Sequence, residues 1–208
     1  MNIAAYQLSV VAIVLGLTVS PVLLGSAADD VVSKLVTSVH VMACALWLGT
    51  SLWSATFQGV IMLQVMPRHA FGVAQAAVFP RLFLYGVICT GLAVVTFVHQ
   101  YPSAFASRDQ FIQAVVLLIS FASTAVNYAL LVPASITLMF QCHKFEKEEG
   151  LGEQVGDPDR SKLKDNTAYW ASRRGFLRYH ILTQVLALVS CLCMAYRVAV
   201  LASRLTSI

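Results

Sequence analysis

The sequence predicts an all-α, polytopic membrane protein, an antiparallel four-helix transmembrane bundle with one extra N-terminal transmembrane helix. Three observations carry this. Of 208 residues, 58% are hydrophobic and only 12% charged, with a mean hydropathy of +0.74, whereas soluble domains carry about 25% charged residues. The apolar residues fall in five blocks, roughly 3–25, 35–62, 79–99, 111–140 and 178–203, each able to supply the ~20 residues that cross a ~30 Å hydrocarbon core. The alternation of a membrane barrel is absent, so the backbone groups must be satisfied within helices.

The first block, Ile3 to Leu24, is followed by Gly25-Ser26-Ala27, a tolerable signal-cleavage site. No Lys or Arg precedes it, and the run is long for a secretory signal. Residues 1–30 are therefore expected to form an uncleaved anchor, and residues 31–208 the four-helix domain. In the second block Thr37, His40, Cys44, Trp47, Ser51, Ser54 and Gln58 follow a 3-4 spacing, one seam of a helix packed at coiled-coil angles. Ser120, Thr124 and Asn127 in the fourth block repeat the pattern, as do His180, Gln184, Ala187 and Cys191 in the fifth; Tyr85, Cys89 and Thr96 in the third do so less cleanly. Polar groups in lipid belong at helix interfaces, where small residues let backbones approach. The expected bundle seam thus comprises His40, Gly49, Trp53, Gln58, Asn127 and Gln184, with Gly49 and Gly59 as points of close approach. The five cysteines are expected to act as small hydrophobes.

Basic residues set the orientation. With five helices, Arg68, Lys144, Lys147, Arg160, Lys162, Lys164, Arg173 and Arg174 share one side, with Arg81 and Arg178 at its helix boundaries. Lys34, Arg108 and Arg204 lie on the other. The positive-inside rule makes the first side cytoplasmic, with the N-terminus inside and the C-terminus lumenal or extracellular. The cytoplasmic loop 141–177 also holds seven acids, which argues against a nucleic-acid partner. Phe140 to Glu149 should extend the fourth helix into water, and Asp157-Pro158 should turn. Ser161 to Arg174 should form a short interfacial helix with Tyr169 and Trp170 at headgroup depth.

Topology brings Arg68, His69, Arg81, Arg173, Arg174, Arg178 and His180 to that one surface. Such a basic pocket between helix ends suits anionic lipid headgroups, because the arginine fork binds phosphate bidentately. Arg68 and Arg178 are the expected phosphate pair. No cofactor or metal is expected. His40 and His180 should be separated by much of the bilayer core, and no Cys, Asp or Glu completes a ligand spacing. No phosphate loop, nucleophile elbow or metalloprotease motif is present, so no catalytic residue is expected and the protein is read as non-enzymatic.

The string His40-x8-Gly49-x3-Trp53-x5-Gly59 precedes Met66-Pro67-Arg68-His69-Ala70-Phe71-Gly72. Gln75, Phe79-Pro80, Val126-Asn127 and Pro133 follow, then Glu146-Lys147-Glu148 with Gly150-Leu151-Gly152, and Phe176-Leu177-Arg178-Tyr179-His180. Across about residues 33–203 the chain resembles the transmembrane protein 205 family, whose core is a four-helix domain of unknown function. It departs from the family pattern beside Pro133, where Val132 and Ala134 replace an acid and an arginine. The resemblance implies a secretory-pathway membrane such as the endoplasmic reticulum. The expected role is a subunit or adaptor of a larger membrane complex, with membrane lipids and other membrane-protein subunits as partners. A small-molecule exporter is the alternative, and a haem- or metal-binding redox protein the third.

Overall fold

A computed structural model describes residues 28–102 and 107–205. The anchor expected over 3–25 and the chain end at Ile208 lie outside the described residues. Most of the described chain is helical: α1 (Ala28–Trp53), a π-helical turn (Ser54–Gln58), α2 (Gly59–Val65), α3 (Arg68–Gln100), α4 (Arg108–Val126), a second π-helical turn (Asn127–Leu131), α5 (Val132–Glu148), a 3-10 turn (Ser161–Leu163) and α6 (Thr167–Leu205). Among the described residues there is no strand, only an isolated antiparallel bridge between Pro67 and Val155. Among the described residues four stretches are long and apolar enough to cross a membrane, Val31–Val65, Arg68–Gln100, Arg108–Glu148 and Thr167–Ser203. They pack as an antiparallel bundle. α3 lies beside α1 and α4, and α6 lies beside α4, α5 and α1.

Two boundaries differ from expectation. The connection expected over 63–78 is only Met66 and Pro67. Proline drives the residue before it out of helical geometry, and Met66 is extended (φ −102°, ψ 143°). The helix resumes at Arg68, about three turns ahead of the apolar block. The expected interfacial helix over Ser161–Arg174 is absent as a separate element. α6 runs unbroken from Thr167, and Tyr169 is fully buried rather than at headgroup depth.

Trp47, Phe83, Phe97, Leu117 and Met194 fill the middle of the bundle. A Cβ placed on Gly86 would lie 2.7 Å from the Trp47 ring, so glycine is what lets α1 and α3 approach. Polar side chains join the helices in layers. Trp47 Nε1 donates to Ser190 Oγ (2.8 Å), Ser120 and Ser190 hydroxyls pair (2.7 Å), and so do Thr90 and Thr124 (3.0 Å). Each such bond contributes roughly 0.6 kcal/mol in a membrane bundle.

The seam needs correction. His40 and Asn127 are fully buried, Gln58 is half-buried and Gln184 is exposed. Gly49 and Trp53 face outward: nothing lies within 4 Å of a Cβ on Gly49, and Trp53 is 59% exposed, against Phe57. Starting from His40, the 3-4 spacing passes through Cys44 and Trp47, and positions 49 and 53 fall on another face of a 3.6-residue helix. Gly59 has only a backbone neighbour within its own helix, Ser54 O at 3.5 Å. The inward tryptophan is Trp47, and the glycine of close approach is Gly86.

Both π turns close an i to i−5 hydrogen bond, Gly59 N–H to Ser54 O and Val132 N–H to Asn127 O. The second immediately precedes Pro133, which cannot donate to the helix ladder, so widening the turn accommodates it. The first rotates the face of its helix. Beyond Trp53, neither the π turn nor α2 contributes a buried residue.

Candidate functional site

That rotation shapes the site. Because α2 leaves the bundle, a cavity of about 480 Å³ opens between α1–α2, α3, α5 and α6. Trp47, Phe79, Phe83, Val132, Ile136 and Phe176 supply apolar wall. Gln75, Ser135, Thr183 and Gln184 add polar groups, and Arg68, His143, Arg173 and His180 also line it. The Trp47–Ser190–Ser120 layer lies about two turns from both π turns along α1 and α4, at 1.5 Å per residue, and closes the bundle at the inner end of the cavity.

Beside the cleft, Glu146 is 0% exposed. Its carboxylate accepts from Arg68 Nε and Nη2 (both 3.0 Å), Tyr169 Oη (2.9 Å) and His69 Nε2 (3.1 Å). A buried charge is tolerable only when paired and hydrogen-bonded in this way. Tyr169 Oη in turn accepts from Arg160 Nε (3.1 Å), and Arg160 pairs with Asp157. The Arg160 guanidinium holds the Asp157 carboxyl below the usual carboxylate range, and Asp157 pushes Arg160 further up.

The connection after α5 is docked onto this cluster. Arg68 N–H donates to Gln154 O and His69 N–H to Gly152 O, each at 3.0 Å, satisfying donors that the start of α3 leaves unpaired. Gly152 has φ +114°, and its Cβ would lie 2.1 Å from the His69 ring. Both the backbone sign and the close approach require glycine.

A second buried cluster lies toward the opposite end. Arg197 Nε donates to His40 Nε2 (2.8 Å), its guanidinium also binds Gln113 Oε1 and lies 5.0 Å from the Phe97 ring centroid. An acceptor at Nε2 places the proton of neutral His40 on Nδ1, from which it donates to Thr96 Oγ1 (2.8 Å). Both ring nitrogens are therefore engaged. His40's partner Arg197 stands roughly 25 Å along α6 from His180 at 1.5 Å per residue, so the two histidines cannot share one iron.

Of the residues expected at a headgroup site, the fold brings Arg68, Arg173 and His180 to one cleft. His69 turns to Glu146. Arg81, Arg174 and Arg178 are exposed and do not line the cleft, and Arg81 bonds its own helix at Ala77 O. The expected Arg68–Arg178 phosphate pair is thereby corrected: Arg68 is committed to Glu146 and Arg178 points elsewhere. Glu146, Tyr169, His143, Gln75, Thr183 and Arg197 were not expected. Helical spacing signals Glu146, because Ser135, Met139, Cys142 and Glu146 step 4-3-4 along one face. The fold also assembles a donor set the spacing did not suggest, His69, His143 and Glu146 within 4.8 Å of one another. Arg68 and Tyr169 already occupy Glu146, so a cation would have to displace them.

Residues 42–144 match the family described as Domain of unknown function (DUF4149). Transmembrane protein 205 of Danio rerio is 27% identical over 177 residues, which cover 82% of this chain and 93% of that protein. The chain is a multi-pass membrane protein similar to the transmembrane protein 205 family along most of its length. No solved structure matches it. The segment matched to the family domain includes cleft residues from Trp47 to His143. Glu146, Tyr169, Arg173 and Arg197 lie beyond it.

Proposed function

We propose that this protein binds an anionic amphipathic lipid in the cleft, as a non-enzymatic lipid-handling protein of an internal membrane. One observation carries the reading. Arg68 is neutralised by Glu146 and Arg160 by Asp157, but Arg173 lines the cleft with no hydrogen bond or salt bridge among the described residues. A guanidinium beside an apolar cavity favours a ligand with a negative head and an apolar body. The Lys/Arg bias supports a cytoplasmic position for this end, where the leaflet carries anionic lipids. Shielding of 149–166 from protease added outside sealed vesicles whose cytoplasmic face is outward would contradict that orientation.

Lipid binding is better supported than the other roles. An exporter would need the Trp47–Ser190–Ser120 layer to open, although the π turns beside the cleft favour some movement there, since π turns recur at functional sites. The haem reading loses His40 to Arg197 and Thr96. Lipid analysis of the detergent-purified protein tests the proposal: Arg173→Gln should lose most of the co-purifying anionic lipid while its melting temperature holds. Equal lipid in both proteins would refute it.

A further inference from the structure

Resting on that lipid reading, we infer that the cleft selects a single-chain lipid phosphate carrying a free hydroxyl between phosphate and chain, the chemistry of a lysophospholipid. Two observations independent of Arg173 lead there. The first is size. A water-sized group takes ≈30 Å³, so a cavity of about 480 Å³ holds about sixteen such groups. That matches one long acyl chain within the cleft, with the head at the mouth.

The second is an unmet hydrogen-bonding demand in the wall. Gln75 and Thr183 both line the cleft, at 8% and 2% exposure. Gln75 Oε1 and Thr183 Oγ1 are each buried with no hydrogen-bond partner. Asn127, which donates to Thr183 O, likewise has an unpartnered Oδ1. Buried polar atoms without partners are rare in native proteins and point to a missing ligand or water. A carbonyl oxygen accepts only, so the group it lacks is a donor. On the chain side of its phosphate, a diacyl phospholipid offers ester carbonyls and no donor. A lysophospholipid offers one free glycerol hydroxyl there, able to donate to Gln75 Oε1 or to accept from Thr183 Oγ1.

The test uses the full-length protein in detergent and three probes: oleoyl lysophosphatidate, its 2-deoxy analogue and dioleoyl phosphatidate. Lysophosphatidate should bind about tenfold tighter than either of the others, the ratio that one well-made hydrogen bond supplies. In Gln75→Leu/Thr183→Val the preference for lysophosphatidate over its deoxy analogue should fall to within about twofold. The deoxy comparison on wild type stands even if the double variant fails to fold. Equal affinity for lysophosphatidate and its deoxy analogue, with Arg173-dependent binding of all three, overturns the hydroxyl inference and leaves the anionic-lipid reading standing. Binding of none of the three overturns both.

Discussion

Glu146 shows how charge in a sequence can conceal a buried group. It stands in the run Lys144 to Glu149, which reads as a solvated helix end. Only the fold brings Arg68, 78 positions away, to its carboxylate. Arg197 was hidden in the opposite way, as one cation within an apolar block. Neither His40 nor Gln113 signals by spacing that it will receive that cation. Removing one partner of a buried pair leaves the other uncompensated, at about 3–5 kcal/mol. Glu146→Gln should therefore lower the melting temperature in detergent strongly. Adding Arg68→Gln to it should cost much less than the sum of the two single changes, and strict additivity would mean the pair is not coupled. The Asp157–Arg160 pair is different. Asp157 is 74% exposed, so screening reduces its contribution to below ~1 kcal/mol. Its carboxyl is depressed in the fold, so the contribution is present above the unfolded value of ~4 and is lost as pH falls through the lower folded value. Limited proteolysis of 149–166 should be unchanged between pH 7 and pH 5. A sharp loss of protection near pH 6 would assign the loop's anchoring to another group.

At the scale of elements, hydropathy marked the four described spans well, because long apolar runs in lipid have no alternative to helix. It misplaced their ends. α3 begins at Arg68 although Arg68, His69, Gly72 and Gln75 carry little hydropathy. Arg68, His69 and Gly72 pack on α5 and the 149–156 connection, and Gln75 lines the cleft. The seam was legible where spacing was followed strictly, through His40, Cys44 and Trp47. It failed at Gly49 and Trp53, which share a motif but not a helix face, and spacing alone gives no sign that the π turn at Ser54–Gln58 will turn α2 away. A direct contrast follows. Gly86→Leu should drive a side chain into the Trp47 ring and destabilise by about 1–3 kcal/mol or more, as overpacking does. Gly49→Leu, facing open space, should leave the melting curve within about 0.5 kcal/mol of wild type. The reverse order would mean that α1 is rotated from the orientation described.

For the molecule as a whole, the four described spans make a bundle closed at its middle and open at one end, with Arg173, which has no hydrogen bond or salt bridge among the described residues, at the opening. Class and basic side could be read from composition and Lys/Arg distribution. The cavity could not, since it arises from where α2 fails to pack. The central claim is that a lipid lies within this cleft and not merely around the bundle. Photo-crosslinking with an anionic lipid bearing its reactive group midway along the chain tests it most directly. The account predicts adducts on inward residues such as Phe79, Phe83, Val132 and Ile136, reduced in Arg173→Gln. Adducts confined to outward residues such as Leu52, Ile61, Leu188 and Leu192, with equal yield in the variant, would contradict it.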